Sequence, residues 1–408
     1  MIRQLVRRTL SVAPLVILGN AAFFLASVLA ARVLMPEEFA LYSAQIGIIA
    51  VLATAMSGVQ LDIAHSSSSG SRTESPIRRH WSLHGIPALI AILTVLICAL
   101  LPLLARLWDE TPRAFIALTI APASVVVGSA VNGILQGRRE FRRLFGISFA
   151  LGLLRIGILM AALVRPVASG TLVLAMLVGS TAIYLLVGSR NHSQSLLIGW
   201  KASKRFATLS VTSLALWAMI YGDLLLIRRF ADGDLAGSLA AILTVVKGSL
   251  ALPILLGQLL FPEFADTRTV APQKKRAVWR LAIFAVCVGS AVSLVVGAAG
   301  PWLLTAVYGV NVLPSGSVIW VSSASVISLS LMIVLGNFAM SAVSHLFAAV
   351  MVVASLVYFF TGAFAVQNVE QLVILSVVAP LAPIAFLALA TPRILRWDGQ
   401  PKANRGNG

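Results

Sequence analysis

LAIFAVCVGSAVSLVVGAAGPWLLTAVYGVNVLPSGSVIWVSSASVISLSLMIVLGNFAMSAVSHLFAAVMVVASLVYFFTGAFAVQNV, residues 281–369, runs for 89 positions without one Asp, Glu, Lys or Arg, and His345 is its only histidine. Such a stretch has no polar face to offer water, whereas a transmembrane helix asks for about 20 consecutive apolar residues. Three spans fit it, with turns at Tyr308–Gly316 and near Asn337–His345. Upstream, Thr9–Ala31, Phe39–Leu61, Trp81–Ala105, Ala114–Gly137 and Val167–Ser189 are long enough and free of the same four residue types, and Gln371–Pro392 supplies a last span. Three more spans carry one charge each: Leu144–Leu163 with Arg155, Ala207–Ile227 with Asp223 and Leu235–Phe261 with Lys247. The reading is an all-α polytopic membrane protein of twelve transmembrane helices.

Composition points the same way. The 408 residues are 59% hydrophobic and 11% charged, with a mean hydropathy of +0.95, too little polar surface for a water-soluble globule. A β-barrel is excluded, because its strands alternate over about ten residues whereas these apolar runs are continuous. Met1–Arg8 sets Arg3, Arg7 and Arg8 before an apolar run, but that run is too long for a cleaved signal and reads as the first span. With the N-terminus placed inside, the outer connections hold only Arg32, Arg106, Arg113, Arg165, Arg228 and Arg229. Apart from Arg155 and Lys247 within the membrane, all the other Lys and Arg fall on the opposite side, so both termini are expected in the cytoplasm, at a bacterial cytoplasmic membrane. The net charge of +17 then reads as attraction to anionic lipid, with no nucleic-acid partner.

Cys98 and Cys287 lie within spans, without metal-type spacing, and are expected as small core residues. His80 and His84 have helical spacing but no acidic partner, and with Trp81 between them they form an interfacial belt and no metal site. Nucleophile-elbow, phosphate-loop, dinucleotide and zinc-protease patterns are missing, so neither an enzyme nor a cofactor is expected.

The longest connections, His65–His80, Arg190–Arg205 and Glu263–Arg280, are cytoplasmic on this reading, and HSSSSGSRTESP (65–76) is a polar linker. RVLMPEEFALYSA (32–44) resembles RRFADGDLAGSLA (228–240), matching Arg32 with Arg228, Glu38 with Asp234 and Ala40 with Ala236 about half a chain apart. A six-span duplication predicts two six-helix lobes, residues 1–198 and 199–408, around a central cavity and related by an axis along the membrane normal.

RVLMPEEFALYS (32–43), GILQGRREFRRLFGISFALGLLRI (133–156), LLFPEF (259–264) and LLTAVYG (303–309), taken as an ordered set over nearly the whole chain, resemble the Wzx-type polysaccharide flippases. These are the O-antigen-exporter branch of the multidrug, oligosaccharidyl-lipid and polysaccharide exporter superfamily. The resemblance implies a bundle that opens alternately to either side and carries an undecaprenyl-diphosphate-linked oligosaccharide, an O-antigen or exopolysaccharide repeat unit, from the inner to the outer leaflet. Its implied partners are that lipid-linked glycan, membrane lipid and other polysaccharide-assembly proteins.

A diphosphate crossing hydrocarbon requires cations facing a wet lumen. Arg155 and Lys247, each about a dozen residues into its span and one from each lobe, are the expected substrate-binding pair. Asp223 is expected as a coupling group or lumenal ion-pair partner, although helix rise separates it from Lys247 by roughly 12 Å in depth, so that pairing needs tilted helices or shifted span limits. Asn20 and Gln45 line the lumen or hydrogen-bond between helices. The main alternative, a cation-coupled multidrug antiporter of the same superfamily, would place acids rather than bases in the cavity. A glycan-assembly enzyme would need acids or a metal on a sizeable outer loop, and a scaffold would be indifferent to lumenal charge.

The topology is tested by site-directed labelling of intact cells. Probes within Ser66–Ser71 and at Lys274–Lys275 should report from the cytoplasm and probes near Asp109 and Asp232 from outside; labelling from the opposite side at either pair contradicts the orientation.

Overall fold

Serines are buried among the apolar core side chains of these helices while many large apolar side chains face outward, a pattern that lipid permits. In helix α11 (Gly316–Ser341) Ser322, Ser323, Ser325, Ser328 and Ser330 are all buried, while Leu153, Met160, Leu163 and Val164 of α6 (Phe141–Val164) and Ile92, Val95, Leu96 and Leu103 of α4 (Gly85–Leu107) are exposed. Water would penalise such an outer surface, whereas hydrocarbon accepts it, and a helix satisfies its backbone groups internally there. Cys98 and Cys287 follow the same logic: both are exposed, not core residues as expected, because a weakly polar thiol sits comfortably against lipid.

The structure is a computed structural model and describes residues 2–68, 85–107, 112–138, 140–165, 167–192, 204–231, 233–251, 253–254, 271–341 and 345–397. Among these, α1 (Ile2–Val33) is followed by α2 (Pro36–Ala55), which continues past one turn residue as α3 (Ser57–Ser68). After α4, a 3-10 segment (Pro112–Ile120) leads into α5 (Ala121–Gly137), then α6, α7 (Ser169–His192), α8 (Lys204–Leu226) and α9 (Gly233–Ser249). The remainder is α10 (Ala271–Trp302), α11, α12 (His345–Phe360), α13 (Val369–Val378) and α14 (Leu381–Trp397), with no strand among the described residues.

Nine described helices are long and apolar enough to cross a membrane, and α1 and α4 add the shorter apolar segments Ile17–Val33 and Ile90–Arg106. The charge-free stretch divides as its length requires. The α10 helix runs on through a π turn (Leu303–Val307), α11 begins at Gly316 and ends at Ser341, and α12 begins at His345. The polar linker, His80, His84, Asp109 and Asp232 lie outside the described residues, as do most of the three long connections.

The chain forms two compact units. One comprises Met1–Ser210, Leu224–Ala241 and Leu304–Leu313. Within it α1 packs along α6 and α3 along α5. The α1–α6 crossing is close: a Cβ added to Gly152 would stand 2.6 Å from Cβ of Ala22, and one added to Gly19 would stand 3.5 Å from the Phe149 nitrogen. The other unit comprises Val211–Asp223, Ile242–Leu303 and Pro314–Gly408. Its most extensive packing is α10 on α11, where Gly289 faces the Ile327 backbone and Gly297 leaves room for the Trp320 ring. Helices in lipid have no hydrophobic drive to associate, so small residues that admit close backbone approach carry much of the packing.

Gly152→Val should therefore wedge α1 from α6 and cost about 1–3 kcal/mol, seen as a lower melting midpoint of the detergent-solubilised protein. Gly157→Val, with nothing within 4 Å of its added Cβ, should melt like the wild type. Equal midpoints for the two variants would contradict the close crossing.

Candidate functional site

The three charges that the sequence places inside spans meet two different fates. On α6, Arg155 is half-buried three residues after Gly152, and its guanidinium carbon sits 4.6 Å from the centroid of the Phe23 ring on α1. Its Nε is buried without a hydrogen-bond partner. No carboxylate or carbonyl pairs with Arg155 among the described residues, and the phenols of Tyr42 and Tyr184 lie in electrostatic range of it. A guanidinium carries five N–H donors in one plane, so this cation keeps its donors uncommitted where a bare charge is costly.

Lys247 and Asp223, by contrast, hold each other. The Lys247 Nζ donates to Asp223 Oδ2 at 2.6 Å, with side-chain exposures of 4% and 1%. The depth gap expected from helix rise closes because side chains tilt toward the N-terminus of their own helix. The short turn Ile227–Arg229 follows α8 and α9 begins at Gly233, and the long lysine stem extends the reach of Lys247 to Asp223. The Tyr358 phenol of α12 lies in electrostatic range of Asp223 and within 3.1 Å of the Ser376 hydroxyl. Its ring closes over α8 at Gly222, where a side chain would collide with it.

The two polar residues expected to line the lumen or to hydrogen-bond between helices separate. Asn20 is exposed on α1, three residues before Phe23 and so on the same helix face, whereas Gln45 is fully buried in α2.

A third cluster went unread in the sequence. At the end of α1, Arg32 donates from Nε to the Val307 carbonyl at 2.8 Å and from Nη2 to the Ala306 carbonyl at 2.5 Å, capping the π turn that closes the ninth span. Tyr308 stands 3.1 Å from the Ser27 hydroxyl and packs against the rings of Phe24 and Phe39. The two similar corner sequences also touch: Arg228 pairs with Glu37 at 3.4 Å, and Gly237 lies so close to Pro36 that a Cβ would not fit. Beside them an open cleft of about 560 Å³ is lined by the starts of α2, α7 and α9, with Glu37, Glu38 and Asp234 at helix N-termini that favour negative charge. Arg155, Lys247 and Asp223 do not line it. Among the described residues no group of three His, Cys, Asp or Glu is placed to hold a metal.

Tyr308 lay within the LLTAVYG stretch, but one aromatic at a helix end reads as an interface anchor. Phe23 carried no signal at all, since a phenylalanine in an apolar helix is what lipid or core would select.

No family model matches the sequence, and no curated protein matches it. Solved structures do. An inward-facing multidrug resistance MATE family transporter of the MOP superfamily matches with TM-score 0.64 and 12% identity, over 92% of this chain and 96% of that one. The eukaryotic MATE transporter AtDTX14 gives 0.67 and 14%, covering 97% and 98%. A MOP superfamily transporter from Pyrococcus furiosus Vc1 (DSM3638), described as having a binding pocket of reverse polarity that suggests a different function, gives 0.65 and 13%, covering 95% and 96%. The chain has the fold of these transporters.

The buried pair is testable by a double-mutant cycle on melting of the purified protein. Asp223→Asn or Lys247→Met alone leaves a buried charge unpaired and should cost about 3–5 kcal/mol, while the double variant should recover most of the loss. Strictly additive losses would mean that the two groups act independently.

Proposed function

We propose that this protein is a membrane transporter that moves an undecaprenyl-diphosphate-linked oligosaccharide from the inner to the outer leaflet of the bacterial cytoplasmic membrane by alternating access. The observation that carries the reading is the uncommitted guanidinium of Arg155, partway along an apolar span with a ring rather than an acid beside it. Such a group suits an anion: a diphosphate takes two parallel N–H bonds from one guanidinium fork, stronger than neutral hydrogen bonds and specific in geometry. The polysaccharide motifs of the sequence supply the class of cargo, and the fold shared with inward-facing MOP transporters supports transport.

In this proposal the chain forms two six-helix lobes, residues 1–198 and 199–408, with both termini cytoplasmic. Arg155 holds the diphosphate, and Lys247 reaches it when its bond to Asp223 opens. Asp223, the acid that exchanges Lys247 as the pair opens and closes, is the coupling group of this proposal. Glycan-assembly enzymes supply the cargo and receive it.

A cation-coupled multidrug antiporter is the second reading, favoured by the fold that the chain shares with a multidrug resistance MATE transporter. It needs an acid free to meet a cationic drug. Asp223 is neutralised by Lys247, whereas Glu37, Glu38 and Asp234, which line the cleft at the starts of α2, α7 and α9, are the acids that favour this second reading.

Surface glycan and accumulated lipid-linked precursor, measured in cells with equal amounts of each variant in the membrane, test the proposal. Arg155→Gln should nearly abolish export, and Arg155→Lys, which keeps charge but loses the fork, should be partly active. Normal export in Arg155→Gln would refute the assignment.

A further inference from the structure

We infer that Phe23 is the positioning residue that keeps Arg155 available to a diphosphate, and that an aromatic ring in place of an acid at this point selects an anionic over a cationic cargo. The inference rests on the reading of Arg155 as the anion-binding group. A cation inside a membrane protein is normally stabilised by an acid or by backbone carbonyls, and either would use up the donors or cancel the charge. The ring does neither. Its π face attracts the guanidinium electrostatically, while the N–H donors, which lie in the guanidinium plane, remain free at the edge.

The backbone places the two groups together. The close crossing at Gly152 and Ala22 brings α6 against α1. Phe23 follows Ala22 directly, and Arg155 lies one helical step past Gly152 on the same face, where its Cζ reaches 4.6 Å from the ring centroid. Tyr42 and Tyr184, also in range of Arg155, bear phenols and no carboxylate. Among the described residues no carboxylate forms an ion pair with this cation. Asn20, exposed on the Phe23 face of α1, adds an amide that an oxygen-rich headgroup can use.

The test uses the full chain in detergent, with inorganic pyrophosphate and farnesyl diphosphate as probes and binding read by titration. Phe23→Leu should weaken both probes by about 3- to 30-fold, the range a desolvated cation–π contact allows, with a melting midpoint near that of the wild type. Phe23→Trp should bind at least as tightly as the wild type. Phe23→Glu should lose binding, because the new carboxylate takes the fork. Wild-type binding in Phe23→Glu, or a folded Phe23→Trp as weak as Phe23→Leu, would overturn the role of Phe23 while leaving Arg155 as the anion site, provided Arg155→Gln fails to bind. Binding that survives in Arg155→Gln, or wild-type protein that takes neither probe, would overturn the anion site itself. Weakening by the same factor for uncharged farnesol would mark Phe23 as a packing residue only and would equally overturn the inference.

Discussion

A cation in a hydrocarbon layer must be compensated, and the manner of compensation decides what the surrounding helices can do. Lys247 is compensated by an acid, Asp223, in a pair almost sealed from solvent. Arg155 is compensated by the face of an aromatic ring. The first arrangement is neutral and satisfied, and the second keeps both its charge and its donors. Bare insertion of either charge would cost several kcal/mol, so neither contact is incidental to the fold. The α1–α6 crossing, the small residues that permit it and the ring seated beside it all bear on whether Arg155 can be held at all.

Much of the architecture was legible from residue type alone, because membrane spanning depends on the length and continuity of apolar runs. The turn expected at Tyr308–Gly316 falls between the π turn ending at Val307 and the start of α11, and α11 ends at Ser341 and α12 begins at His345, both within the stretch where the next turn was expected. Burial was less legible. Cys98 and Cys287 were expected inside because an apolar thiol is usually a core residue in water, yet both are exposed, since hydrocarbon accepts apolar side chains on the outer face as readily as the core does. Residue identity pointed to Asp223 and Lys247, but their contact could not be read from axial rise, which ignores the lean and reach of the side chains. Phe23 was beyond reach: with 18 phenylalanines in the chain, no spacing marks the one that faces a guanidinium.

The corner sequences extend the same lesson. The likeness between residues 32–44 and 228–240 was read as a trace of duplication, and the structure adds that the two corners touch, through Arg228 with Glu37 and Gly237 against Pro36. Arg32 departs from its counterpart Arg228 by capping carbonyls of the π turn rather than pairing with an acid. The two positions that the likeness matches have thus taken different partners.

The central claim is that the transported species is an anionic lipid-linked glycan. Its most direct test is transport by the purified protein in sealed proteoliposomes, comparing a fluorescent polyprenyl-diphosphate sugar with a lipophilic cationic dye under the same imposed proton gradient. The account predicts that the diphosphate lipid changes leaflet in a protein-dependent way and that the dye does not accumulate. Dye accumulation without movement of the diphosphate lipid would contradict it.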